Sequence, residues 1–215
     1  EQDGHTLGRI CMMQYNAYNE YNNTRRAFFG FFEVVEDQNV ALALFKQAED
    51  WARAQGYTEV LGPRGLIGGL AGGVLVEGFD YPPAMDIPYN FPYYDAFIKA
   101  AGFTKYNDNL SGYVERKNTD TIPERVLAIA ERIKQRGTYW VKTFESRADL
   151  QAFIPYIGDL HRKAFQNNHD FTPMTDAEVR WFANDLIDIA GPGMIKVVMK
   201  DDQPIGFILA YPNIY

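Results

Sequence analysis

Apolar positions change their period in blocks along the chain. Dense apolar runs at Leu7–Tyr15 and Ala27–Val35, separated by a polar, Asn-rich stretch at 16–26, predict strand, loop, strand in an antiparallel pair. From Asn39 to Gln55 the period becomes helical, with Leu44, Ala48, Trp51 and Ala52 on one face. Asp37 or Asn39 can cap that helix and Gly56 stops it. A short strand at Thr58–Leu61, a Gly-rich stretch from Gly62 to Gly73 and an extended segment at Val74–Glu77 follow. Pro82 and Pro83 enforce a loop, and Pro92 opens a helix that runs to Ala101 and ends at Gly102. Phe103–Glu115 reads as extended.

Beyond a polar connector at 117–121, Thr121 and Glu124 form a capping-box pattern around Pro123. The helix to Arg136 is expected to bury Val126, Leu127, Ala130 and Ile133. A strand at Tyr139–Phe144 precedes an amphipathic helix marked by Leu150, Phe153, Ile154, Ile157 and Leu160. Thr175 and Glu178 form a second capping box, leading a stripe of Val179, Phe182, Ala183 and Leu186. The chain closes in a hairpin, Met194–Met199 and Ile205–Tyr211, turning at Asp201–Asp202. The fold class is α/β of the α+β kind, with a mixed sheet. Three divisions are expected: 1–118, a linking helix at 119–137, and 138–215.

Composition narrows the function classes. The 215 residues are 47% hydrophobic and 23% charged, which is ordinary globular usage and argues against disorder. The net charge of −7, concentrated in residues 1–120, and the lack of any Lys/Arg run argue against a nucleic-acid partner. The single cysteine, Cys11, allows no intrachain disulfide and fits a reducing, cytoplasmic setting. Three histidines without zinc spacing predict no metal site, and no apolar run has membrane length.

One internal repeat is present. Asp3-Gly4-His5-Thr6-Leu7-Gly8-Arg9-Ile10 aligns with Asp201-Asp202-Gln203-Pro204-Ile205-Gly206-Phe207-Ile208. Each is an acidic turn leading through an aliphatic residue to Gly and a strand. This is either similarity between two hairpins or one period of a tandem array. The element order of residues 138–215 resembles the front half of a domain of the GNAT superfamily of N-acetyltransferases, and that of residues 7–115 its back half. Asp202-Gln203-Pro204-Ile205-Gly206-Phe207 is similar to the turn and third strand of that fold. Asn90 before a helix closing on Ala101-Gly102-Phe103 is similar to another of its stretches. The runs Val76-Glu77-Gly78-Phe79-Asp80-Tyr81-Pro82-Pro83 and Pro88-Tyr89-Asn90-Phe91-Pro92-Tyr93-Tyr94 resemble large GNAT-like proteins.

The resemblance implies transfer of an acyl group from acetyl-CoA or another acyl-CoA to a small-molecule amine. It places Glu33 as general base and the turn residues Val35, Gln38, Asn39 and Val40 at the CoA pyrophosphate, at the N-terminus of the central helix. This turn has no glycine and carries Glu36 and Asp37, and the family's acidic Tyr is replaced by Ile98. Tyr89, Asn90, Tyr93 and Tyr94 form a polar-aromatic cluster that either lines an acceptor pocket or packs as a loop. Glu33 is either a partly buried base or a solvent-facing residue of an alternating strand. The glycines between 62 and 73 either nest a phosphate or serve a tight loop. His161 falls on an apolar helical stripe and reads as packed. The sheet of each half is expected to be incomplete unless the halves associate in a permuted way or further sequence completes them. The final strand leaves a sticky edge, and a homodimer is among the expected partners. A non-catalytic GNAT-like module that binds a small molecule or a partner chain stands beside the enzyme.

Overall fold

A computed structural model describes residues 3–65, 72–112 and 122–212. The chain forms two compact units. One holds the residues up to Lys105 together with Asn167–Thr172, and the other holds Tyr106–Gln166 and Pro173–Pro212.

In the first unit, β1 (Gly8–Gln14) pairs antiparallel with β2 (Arg26–Val34), and β2 pairs parallel with β3 (Glu59–Leu61). Helix α2 (Gln38–Ala54) crosses from β2 to β3, and α3 (Tyr93–Ala100) packs beside it. The core is aromatic: Phe29, Phe32, Phe45, Tyr94 and Phe97 are buried together, with Phe29 edge-on to Phe45 at 5.4 Å. Between Arg9↔Glu33 and Cys11↔Gly30 the register shifts, so that Phe31 and Phe32 face the single residue Ile10. Phe31 takes a left-handed φ of 49° in this bulge. The shift re-aims the strand. Phe29, Phe32 and Val34 are buried while Glu33 faces out.

The stretch 16–26, expected as loop, contains a helix, α1 (Asn16–Asn22). Asparagine is a poor helix former, and here its side chains stand in for backbone partners. Asn19 donates to Arg26 O at 2.8 Å and accepts from Arg26 N at 2.9 Å. Asn22 donates to Phe171 O at 3.1 Å, and Asn23 ends the helix at φ 52°. The segments Val74–Glu77 and 103–112 join no sheet. Instead, the Asn90 amide pairs with both backbone groups of Leu75, at 2.7 and 3.3 Å. Thr121, half of the first expected capping box, and residues 66–71 of the Gly-rich stretch lie outside the described residues.

In the second unit, β4 (Tyr139–Thr143), β5 (Ile195–Lys200) and β6 (Gln203–Leu209) form an antiparallel sheet. One face packs on α5 (Arg147–Phe165) and α6 (Asp176–Ala190), with Val197 and Leu150 at the centre of the core. The Thr175–Glu178 capping box is complete in both directions. Helix α4 (Glu124–Gln135) buries none of its residues; Val126, Leu127 and Ile133 are exposed, against expectation. Periodicity reports an apolar stripe, and here the sheet face is already covered by α5 and α6. Both units are α+β, the first with a mixed sheet. Asp3 and Asp201, aligned in the repeat, share a left-handed φ of 51°.

Candidate functional site

The bulge and α3 together build a groove of about 580 Å³ in the first unit. Its walls come from Leu7, Gly8 and Arg9 on one side, Glu33–Glu36 along the middle, and Phe91, Tyr93 and Tyr94 on the other. Gly8 is required there, because a Cβ would come within 2.8 Å of Glu33 O and 2.9 Å of Leu44 Cδ1. Arg9 lies directly across the ladder from Glu33, which sets a cation on the strand opposite the carboxylate.

Two hydroxyls meet β2 at this point. Tyr94, 4% exposed, donates to Glu33 Oε2 at 2.7 Å and accepts from Val34 N–H at 3.2 Å. Tyr93 donates to Val34 O at 2.9 Å. Burial, and then the hydrogen bond to Glu33, push the Tyr94 phenol up to about 12. Burial also raises Tyr93, with the Glu36 and Glu33 carboxylates adding to it. Both phenols therefore keep their protons at neutral pH and act as donors. Glu33 is exposed and lines the groove, with Oε2 held by Tyr94. It is not the partly buried acid considered above, because the bulge turns it away from the core.

The structure thus brings Glu33, Val35, Tyr93 and Tyr94 to one groove. Tyr89 and Asn90 serve the loop before α3: Tyr89 donates to Phe79 O at 2.8 Å, and Asn90 holds Leu75. Ile98 is buried in the core. Gln38, Asn39 and Val40 form the first turn of α2, where Asp37 accepts from Asn39 N–H at 2.8 Å. That N–H is already capped by a carboxylate, and Glu36 stands exposed beside it. A pyrophosphate does not fit this turn, because it would meet two negative charges and a satisfied donor.

Arg9, Gly8 and Phe91 were not singled out from the sequence as site residues. Gly8 had a signal, its alignment with Gly206; Arg9 had none, because cross-strand register is invisible in a linear reading. No group of three or more metal-ligating side chains gathers among the described residues. No described helix is long and apolar enough to cross a membrane.

No family model matches the chain, and no solved structure matches it. Two curated proteins are similar to it. Protein YghO of Escherichia coli is 27% identical over 211 residues, 98% of this chain and 53% of that protein. The bacterial ceramide synthase of Caulobacter vibrioides is 30% identical over 186 residues, 86% of this chain and 47% of that protein. The chain spans about half the length of the curated relatives it matches.

Proposed function

We propose that the chain is part of a GNAT-like N-acyltransferase and that Glu33 is its general base. The observation that carries this reading is the Glu33–Tyr94 pair on the wall of an apolar groove. Similarity to a protein named a bacterial ceramide synthase supports acyl transfer as the reaction class. An acceptor amine is an ammonium at neutral pH and must lose a proton before it can attack. The Glu33 carboxylate takes that proton, directly or through one water, while Tyr94 fixes it at Oε2. The neutral nitrogen then attacks the carbonyl of an acyl thioester. A C–N bond forms, the C–S bond breaks, and the departing sulfur leaves as a thiol after taking a proton. Because the 35–40 turn does not fit a pyrophosphate, no step is routed through CoA phosphates.

The test is acyl transfer by the full chain from acyl thioesters to a panel of primary amines. Glu33→Gln should lower kcat about 10²–10⁴-fold, the range of general-base catalysis. An unchanged kcat would remove Glu33 from the reaction.

The capped, acidic turn at Asp37 favours a second reading, a GNAT-like module that binds a small molecule or partner chain without catalysis. Under it, no amine is acylated at any thioester concentration, while a ligand still protects the groove from hydrogen exchange.

A further inference from the structure

After β3 the chain passes through Gly62 and Pro63 and lies down on β2. Two glycines make this approach feasible. A Cβ on Gly62 would sit 2.4 Å from Phe29 O, and one on Gly30 would sit 2.2 Å from Arg64 O. Arg64 N–H then donates to Phe29 O at 2.8 Å, while Pro63 O accepts from Gly73 N–H at 2.8 Å. Arg64 is thereby fixed on the sheet by its own backbone.

Its guanidinium rests against two rings, 5.2 Å from the Phe28 centroid and 5.4 Å from that of Tyr18. Nη1 is buried and has no hydrogen-bond partner among the described residues. Arg26 touches the same Tyr18 ring at 5.8 Å and is paired quite differently. It donates to Tyr18 Oη at 2.7 Å and forms ion pairs with Glu59 at 2.7 Å and Asp170 at 3.2 Å. The carboxylates of this neighbourhood therefore serve Arg26. Among the described residues no carboxylate pairs with Arg64, and ring faces recover only part of the cost of burying a guanidinium nitrogen.

We propose that Arg64 anchors an oxyanion-binding site, holding a phosphate or carboxylate group of a ligand against the Tyr18–Phe28 shelf. The planar fork of arginine suits both groups, since each offers two oxygens at matching spacing. Arg64 as a whole is only partly buried, so the residue stays within reach of a ligand beside the shelf. The site stands on different residues from the Glu33 groove, and Glu33→Gln should leave it intact.

The experiment is titration of the full chain with inorganic pyrophosphate and, in parallel, with acetate at low ionic strength. It is followed by calorimetry and by NMR of the arginine Nε–Hε signals. At least one anion should shift the Arg64 signal, and Arg64→Met should weaken its binding tenfold or more. Response to pyrophosphate alone assigns the site to a phosphorylated ligand, and response to acetate alone to a carboxylate. Arg64→Met keeps the side chain's length without its charge, so without anion it should melt at or above the parent temperature. The proposal is overturned if neither anion moves the Arg64 signal, or if the Met variant binds as tightly as the parent. A Met variant that melts lower without anion would also overturn it, since the guanidinium would then be a packing group of the shelf.

Discussion

Phe31 occupies a backbone region that costs an L-residue about 1–2 kcal/mol. Glycine is the usual choice for such a bulge. The strain is local, and its effect is to set Glu33 outward next to Val34, whose N–H and C=O meet Tyr94 and Tyr93. Tyr94 gives this geometry a pH signature. Its folded pKa of about 12 lies above the ordinary value of 10.0. The folded state therefore binds the proton more tightly, and the contribution is fully present below pH 10. It is lost as pH rises from 10 through 12. Melting temperature should fall over that interval, and Tyr94→Phe should flatten the fall. An equally steep fall in the Phe variant would place the titration elsewhere.

Helices α5 and α6 meet at a point where glycine is needed for packing. Gly158 is buried on α5, and a Cβ there would come within 2.8 Å of Val179 Cγ1. Helix propensity alone favours Gly158→Ala by about 1 kcal/mol. The overpacking cost of about 1–3 kcal/mol opposes it and decides the sign. Urea unfolding should show Gly158→Ala destabilised, and Val179→Ala should couple favourably with it in a double-mutant cycle. Simple additivity would mean that the helices separate freely. Signals carried by local chemistry were legible at this scale, among them the Thr175–Glu178 capping box, the Asp37 cap and the Asp201 turn. Helix α1 was not, since its asparagines gain their partners only in the folded chain, from Arg26 and Phe171. The stripe on α4 was legible as amphipathic, but nothing in its spacing shows which side of a sheet is already covered. The candidate site was half legible. Glu33, Tyr93 and Tyr94 carry their own chemistry, whereas Arg9 joins them only through β-ladder register.

Sequence order and compact units do not coincide in the whole molecule. Asn167–Thr172 lies between α5 and α6 in the chain, yet it belongs to the unit built on β1–β3. Within that unit Asp170 accepts from Tyr18 and pairs with Arg26, whose side chain is 12% exposed against 17% for Asp170. The Arg26–Asp170 bond spans 144 residues and the Tyr18–Asp170 bond 152. Removing the carboxylate takes one of two described ion pairs from a mostly buried guanidinium and leaves the pair with Glu59. The cost of breaking such a pair is about 3 kcal/mol. Asp170→Asn should therefore lower hydrogen-exchange protection of amides in β1, β2 and α1 about a hundredfold. Amides of β5 and β6 report the other unit and should keep their protection. Uniform loss across both sheets would mean that the chain unfolds as one cooperative body. Unchanged protection in β2 would mean that solvent already screens the pair. Loss confined to the first sheet would show that six residues distant in sequence hold that sheet together.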